Sequence, residues 1–305
     1  MKNFLNVSCA AGVLLLGSLL PPAFAGDPAI SEEPATAAAE RRLIDLTLGN
    51  FLTAGWNESW AKRPHPDGAP DLTLLRAQSN LLLRSLRMDY FYERPLETSG
   101  VRDVQFLNEL VEYGFNRRLM LAVFGNYQWV NSRAGDDLEG ASYGALARVQ
   151  LIDTPHASYA LNLRVAAPNH DLHETLTTTS FSLAGWHDLT PLGLKRVGLY
   201  WHVQEETFTG RHARGARQND LTYDISLAKT WTAPTAPIGN LSTFLETYAR
   251  TDLDGPRRGK SVVTLTPGLR FTLARQHVFM AGVEIPVTEP RPYEQIVRLT
   301  YILSF

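Results

Sequence analysis

From Tyr293 to Phe305 the chain alternates. Tyr293, Gln295, Val297, Leu299, Tyr301, Leu303 and Phe305 fall on one face, and Glu294, Arg298, Thr300 and Ser304 on the other, with Ile296 and Ile302 as apolar exceptions. A period of two places side chains on opposite faces of a β-strand. The same alternation recurs from about Leu82 onward. Leu119, Leu121, Val123, Tyr127 and Trp129 oppose Ala122, Asn126 and Gln128; Leu221, Tyr223, Ile225 and Leu227 oppose Thr222, Asp224, Ser226 and Thr230. Similar runs near 82–92, 104–113, 142–151, 159–165, 175–187, 196–207, 241–250, 263–271 and 277–287 bring the total to about twelve. An even number of strands with one apolar and one polar face predicts an all-β fold, an antiparallel transmembrane up-and-down β-barrel.

The links between runs are of two kinds. Gly114–Arg118, Asp153–Ala157 and Ala274–Gln276 read as tight turns, whereas Asn131–Gly140, Phe208–Asn219 and Thr251–Lys260 are longer and polar. With both termini in the periplasm, the longer set faces outward. A soluble sandwich would also alternate, so the position of the aromatic and charged residues decides. Trp129, Tyr143, Tyr223 and Tyr293 fall at the outer ends of their strands, and Tyr159, Trp231, Tyr301 and Phe305 at the periplasmic ends. Two belts result, as amphipathic rings prefer the headgroup layers. The polar face carries Arg87, Asp89, Arg148, Arg164, Asp224, Glu246, Arg270 and Arg298 as pore-lining candidates. So many charges require water, a partner, or both. One use is a mixed field that orients a small solute; the other is a set of ion pairs that fill and stiffen the lumen. Arg148 and Arg164, close in height on neighbouring strands, call for a wet lumen or an acid such as Asp224 or Glu246 across the barrel.

Ahead of the strands, Lys2, the apolar run Val13–Leu20 and Ala23-Phe24-Ala25 make residues 1–25 a secretory signal peptide. Cys9, the sole cysteine, lies within it and lacks a lipobox, so no disulfide is expected. Residues 26–70 read as a periplasmic leader, Ala-, Pro- and Glu-rich at first. In it Ile44, Leu48, Phe51 and Leu52 have the spacing of a short helix, which with the loop after it reads as a periplasmic helix, an inward plug or an ordered lid on the barrel's periplasmic rim; residues 71–305 are assigned to the barrel. The formal net charge of −2 offers no signal for nucleic acid.

Signals for enzyme chemistry are weak. Gly255-Pro256-Arg257-Arg258-Gly259-Lys260-Ser261 has three residues between its glycines where a phosphate loop has four, and it leads into a strand. His170, Asp171, His173 and Glu174 are ligand-type residues that a surface metal could use, but no third fixed element is evident and the HExxH order is absent, so they read as a solvated outer loop. His156 and Ser158 have the spacing an outer-membrane phospholipase would use, but fall in a periplasmic turn. The chain is therefore read as no enzyme, with no cofactor and no metal.

Several segments are familiar. LVEYGFNRRL (Leu110–Leu119), PGLRF (Pro267–Phe271), GVEIPV (Gly282–Val287), RPY (Arg291–Tyr293) and the terminal YILSF resemble the meta-pathway phenol-degradation family of outer-membrane proteins. GNFLTAGWNESW (residues 49–60) and GAPDLTLLRAQSN (residues 68–80) are similar to the front end of relatives in that group. The resemblance implies a bacterial outer-membrane channel for passive uptake or export of small molecules, aromatic or apolar ones among them. It implies no binding residues. The terminal Phe305 resembles the signal read by the barrel assembly machinery, and outer-membrane lipids and lipopolysaccharide are the expected surroundings. The alternative is a non-conducting structural or adhesive barrel whose Arg211, Arg214 and Arg217 grip lipopolysaccharide phosphates.

Overall fold

Alternation along the chain closes into a barrel. The computed structural model describes residues 43–305 apart from 66–67, 98–99, 133–134, 169–176, 210–218 and 290. Its strands are β1 (Arg84–Arg94), β2 (Val101–Gly114), β3 (Leu119–Ser132), β4 (Gly135–Asp153), β5 (Ala157–Pro168), β6 (Thr177–Asp188), β7 (Val197–Thr209), β8 (Asn219–Thr230), β9 (Ile238–Asp252), β10 (Ser261–Leu273), β11 (His277–Pro286) and β12 (Gln295–Ser304). Each pairs antiparallel with its neighbour in sequence. β1 closes on β12 from Ser85 opposite Ser304 to Arg94 opposite Gln295, so no sheet edge remains. Beyond β12, the Phe305 amide donates to the Arg84 carbonyl at 3.1 Å.

The two faces separate as the pattern requires. On β8 Asp220, Thr222, Asp224, Ser226 and Thr230 are buried, while Tyr223, Ile225 and Leu227 are exposed outside. The expected turns at 114–118, 153–157 and 274–276 join β2 to β3, β4 to β5 and β10 to β11. These turns and the C-terminus share one end, called here the turn end. The opposite loop end differs in one place from expectation. β3 and β4 continue pairing out to Ser132 opposite Gly135, so a longer hairpin replaces the link expected over Asn131–Gly140.

Inside runs a strandless segment. β1 begins at Arg84, and the boundary drawn at residue 71 falls within a stretch, Ala69 to Leu83, that is held against the inner wall. Leu72, Leu74 and Leu75 pack with Trp186, Tyr200, Phe244, Val278, Met280 and Ile302, all turned inward. This accounts for the apolar exception at Ile302, which belongs to an apolar seat for this plug. Gly282 is part of the seat. A Cβ there would stand 2.6 Å from the Leu75 Cδ1.

The expected helix over Ile44–Leu52 is replaced by turns. Leu46 is fully buried and bridges to Asp153, whereas Ile44, Leu48 and Leu52 are 61%, 65% and 85% exposed. Arg118 gathers this stretch against the end of β4, before the β4–β5 turn. Its guanidinium donates to the carbonyls of Ala54, Thr47, Asn50, Gln150 and Leu151, which winds the chain around one buried cation.

Candidate functional site

An irregular chain inside a barrel has no ladder to satisfy its backbone, yet buried N–H and C=O groups require partners. Here the wall supplies them through side chains. Glu246 Oε1 accepts the Arg76 and Ala77 amides, each at 2.9 Å. His202 Nδ1 accepts the Gln78 amide at 3.1 Å, which fixes the neutral ring with its proton on Nε2. Arg87 donates to the Leu74 carbonyl at 3.3 Å and Arg148 to the Leu81 carbonyl. Tyr200 donates to the Pro70 carbonyl at 2.7 Å, and Asp188 accepts the Ala69 amide at 3.0 Å. Asn80 reaches Asp71 at 2.6 Å and Ser158 at 2.7 Å. Burial pushes the Asp71 carboxyl up to about 7, against the Asn80 bond that lowers it.

All eight charged candidates point inward, and several prove to be fastenings of the plug. Arg87 is locked to Asp89 at 2.8 Å, and Thr300 donates to Asp89 at 2.5 Å. Arg148 bonds Asn162 at 2.6 Å and pairs with Glu112 at 3.3 Å. Its acid is thus Glu112 on the wall two strands away, in place of the Asp224 or Glu246 expected across the lumen. Arg164 lies opposite Leu146, its guanidinium 4.0 Å over the Phe124 ring. Arg298 pairs with Glu284 at 2.5 Å and covers Phe91 at 4.2 Å. Arg270 is buried and donates to Thr272 at 3.4 Å. Asp224 and Glu246 each keep one buried oxygen without a hydrogen-bond partner among the described residues.

Sequence reasoning missed Arg76, Glu112, His202 and Glu284. The two acids, Glu112 and Glu284, stand on the inward parity of β2 and β11, near an inward arginine in each case, a signal that strand parity carries. Tyr293 is also corrected. It precedes β12 and turns inward to donate to Glu284 at 2.5 Å, so it belongs to the lumen network and not to a belt.

The plug divides the interior. Toward the loop end lies a cavity of about 310 Å³ whose lining includes Arg76, Arg164, Phe91, Phe124, Gln204 and Tyr248. Toward the turn end a second, of about 370 Å³, is lined among others by Lys62, His65, Asp71, Arg196, Thr230 and Asn240.

At the turn end the residues before the plug are clamped to the barrel. Arg117 pairs with Glu58 at 2.7 Å and with Asp153 at 2.9 Å, and Arg63 meets Asp153 at 3.0 Å. Trp60 donates its indole proton to the Leu82 carbonyl at 2.9 Å.

On the outer surface the aromatics lie in two bands. Tyr127 stacks on Trp129 and meets Tyr143 edge-on near the loop end, where Tyr223 also sits. Trp231, Tyr301 with Phe279 and His277, and Tyr159 with His187 and Trp201 lie near the turn end. Tyr223 and Trp231 are separated by about 26 Å of chain at about 3.3 Å per residue, which at the usual strand tilt of about 35–45° is a height of about 20 Å, somewhat less than the apolar band of about 25 Å.

Ser158 is bonded to Asn80 and Gln150, while His156 meets Asp188 at 3.2 Å, so this pair fastens the plug and turn instead of forming a Ser–His couple. The segment at 255–261 is a turn entering β10. His170, Asp171, His173, Glu174, Arg211, Arg214 and Arg217 lie outside the described residues.

No family model matches the chain, and no curated protein matches it. An outer membrane channel from Pseudomonas putida F1 has a TM-score of 0.50 at 10% identity, covering 81% of this chain and 100% of that one. The fold is that of an outer-membrane β-barrel. A KdgM porin in complex with disordered oligogalacturonate scores 0.47 at 10% identity over 72% of this chain and 99% of its own, and a NanC porin 0.47 at 8% over 72% and 98%. At such identities the likeness is one of fold.

Proposed function

We propose that the protein is a channel of the bacterial outer membrane for passive passage of small molecules, held closed by residues 69–83, and that it acts without catalysis or cofactor. The finer placement, in the meta-pathway phenol-degradation family, rests on the LVEYGFNRRL, PGLRF and GVEIPV segments. The turn end with the C-terminus then faces the periplasm, and the aromatic bands meet the two headgroup layers.

One observation carries the channel reading: two cavities share the lumen, and the partition between them is chain fastened by side-chain hydrogen bonds and leucine packing instead of a ladder. Such a partition can leave without opening the barrel. Liposome swelling and planar-bilayer current, measured for the full chain and for a Leu72→Ser, Leu74→Ser, Leu75→Ser variant, test this. The variant loses apolar seating worth about 1.5–3 kcal/mol per leucine. It should keep the boiled-versus-unboiled gel shift of a closed barrel and pass solutes faster than wild type. A folded variant with neither current nor swelling leaves the non-conducting structural barrel as the correct reading.

A further inference from the structure

The plug presents one cation to an acidic wall. Arg76 projects from it with its guanidinium 3.5 Å over the Tyr248 ring and 3.6 Å from Glu284. Beside Tyr248 on the same inner face stands Asp224, directly opposite in the β8–β9 ladder, and Asp224 in turn faces His202. One step toward the turn end is Glu246, between Ser226 and Thr266. Glu246 grips the Arg76 amide through Oε1. Its Oε2, the Asp224 Oδ2 and the hydroxyls of Thr264 and Thr266 are buried and have no partner among the described residues. His202 is neutral by its hydrogen bond to Gln78, so it brings no charge. Arg298 is taken by Glu284 at 2.5 Å. Three acidic side chains therefore stand on the wall near two guanidiniums, with unused acceptors on β8, β9 and β10 beside the one that belongs to the plug, whose own buried Nε also has no hydrogen-bond partner among the described residues. Arg76 has its pKa above the usual arginine value: burial lowers it, and Glu284, Tyr248, Tyr293 and Asp224 more than restore it.

A planar cation over a tyrosine face with carboxylates at its edge is a recognition geometry for guanidinium and ammonium groups. The place opens onto the loop-end cavity of about 310 Å³, where Arg76 and Tyr248 are part of the lining. We propose that the Tyr248, Glu284, Asp224 and Glu246 wall is a binding subsite for the guanidinium or ammonium head of a small organic cation, and that Arg76 occupies it in the solute's stead. Closure is then self-competition. A solute that takes the subsite displaces Arg76 and weakens the hold on the plug. The inference rests on the channel reading for its meaning as solute class, but its binding step does not require conduction.

The test uses the full chain in detergent and three probes: methylguanidinium, urea as a neutral isostere, and acetate. Arg76→Ala, shown to be a closed barrel by its gel shift, should bind methylguanidinium saturably and unfold at a higher temperature in its presence. Wild type, whose own arginine competes, and Arg76→Ala carrying Asp224→Asn should bind about tenfold more weakly or worse. Urea and acetate should do nothing. Equal responses to methylguanidinium and urea, or no response of the folded variant, overturn the proposal. If Arg76→Ala fails to give the shift, wild type serves: methylguanidinium, unlike urea at equal concentration, should speed proteolysis within residues 69–83, and equal rates overturn the proposal. Binding with no current in any variant removes the channel and keeps the subsite. Current through Arg76→Ala that methylguanidinium leaves unchanged does the reverse.

Discussion

The indole of Trp60 stands where Gly114 would carry a Cβ, with Cδ1 2.3 Å and Nε1 2.5 Å from that position. Trp60 closes one of the sequence motifs ahead of the barrel and Gly114 lies in another at the β2–β3 turn, so the contact joins the clamp at the turn end to the wall. Gly114→Ala should force the ring out, break its bond to the Leu82 carbonyl and loosen the plug's exit. Overpacking of this kind costs about 1–3 kcal/mol. The expected result is a barrel that still shows the gel shift but melts earlier and is cleaved faster near residue 82 by added protease; unchanged melting and cleavage would refute the role given to Trp60.

Glu246 separates charge from hydrogen bonding. Glu246→Gln keeps a carbonyl oxygen able to accept both plug amides, whereas Glu246→Ala strands them in a buried site, at about 1–3 kcal/mol for each. Current through planar bilayers should rise clearly for the alanine variant and little for the glutamine one. Equal currents would mean that the plug is held elsewhere.

Asp71 gives the closed state a pH dependence. Its folded pKa, about 7, stands above the ordinary value near 3.9 because burial disfavours the carboxylate. The folded state thus binds the proton more tightly than the released one. Its contribution to docking is full below about pH 4, falls as pH rises toward 7, and is lost above that. Hydrogen exchange of the amides in residues 69–83 should be faster relative to the intrinsic rate at pH 8 than at pH 5, and Asp71→Asn should abolish the difference. A profile that runs the other way would show that another group governs the plug.

The barrel was legible because its code is local: a period of two, charged inner faces and aromatic strand ends survive without knowledge of any partner. The plug left no such trace. Its backbone borrows acceptors and donors from residues far away in sequence, as Gln78 does from His202, so no short-range period marks it. What betrayed it were the violations, Ile296 and Ile302 on a face otherwise polar. Ile302 meets the plug cluster directly. The turns found at Ile44–Leu52 have the same origin, since their carbonyls gather on Arg118, far away in sequence. Residues 68–80 are largely the plug, while Gly282 and Glu284 belong to its seat.

The two arginines of β4 and β5 separate stiffening from passage. Arg148 bonds Asn162, Glu112 and the Leu81 carbonyl, linking β2, β5 and the plug, and is almost wholly buried. Removing one member of a buried pair leaves the other charge uncompensated, a loss of about 3–5 kcal/mol. Arg148→Ala should therefore lower the melting temperature strongly, and Glu112→Ala likewise. The double variant should melt above the sum of the two losses, because no stranded charge remains. Arg164 makes no ion pair among the described residues; its contact is the Phe124 face, worth about 0.5–2 kcal/mol. Arg164→Ala should leave melting close to wild type and change ion preference once the plug is loosened by the three leucine substitutions, since its charge borders the loop-end cavity. Melting curves of the four variants, with reversal potentials in the loosened background, decide between these roles. If Arg164→Ala destabilises as much as Arg148→Ala, both are struts; if the Arg148–Glu112 losses simply add, the pair is not a coupled unit.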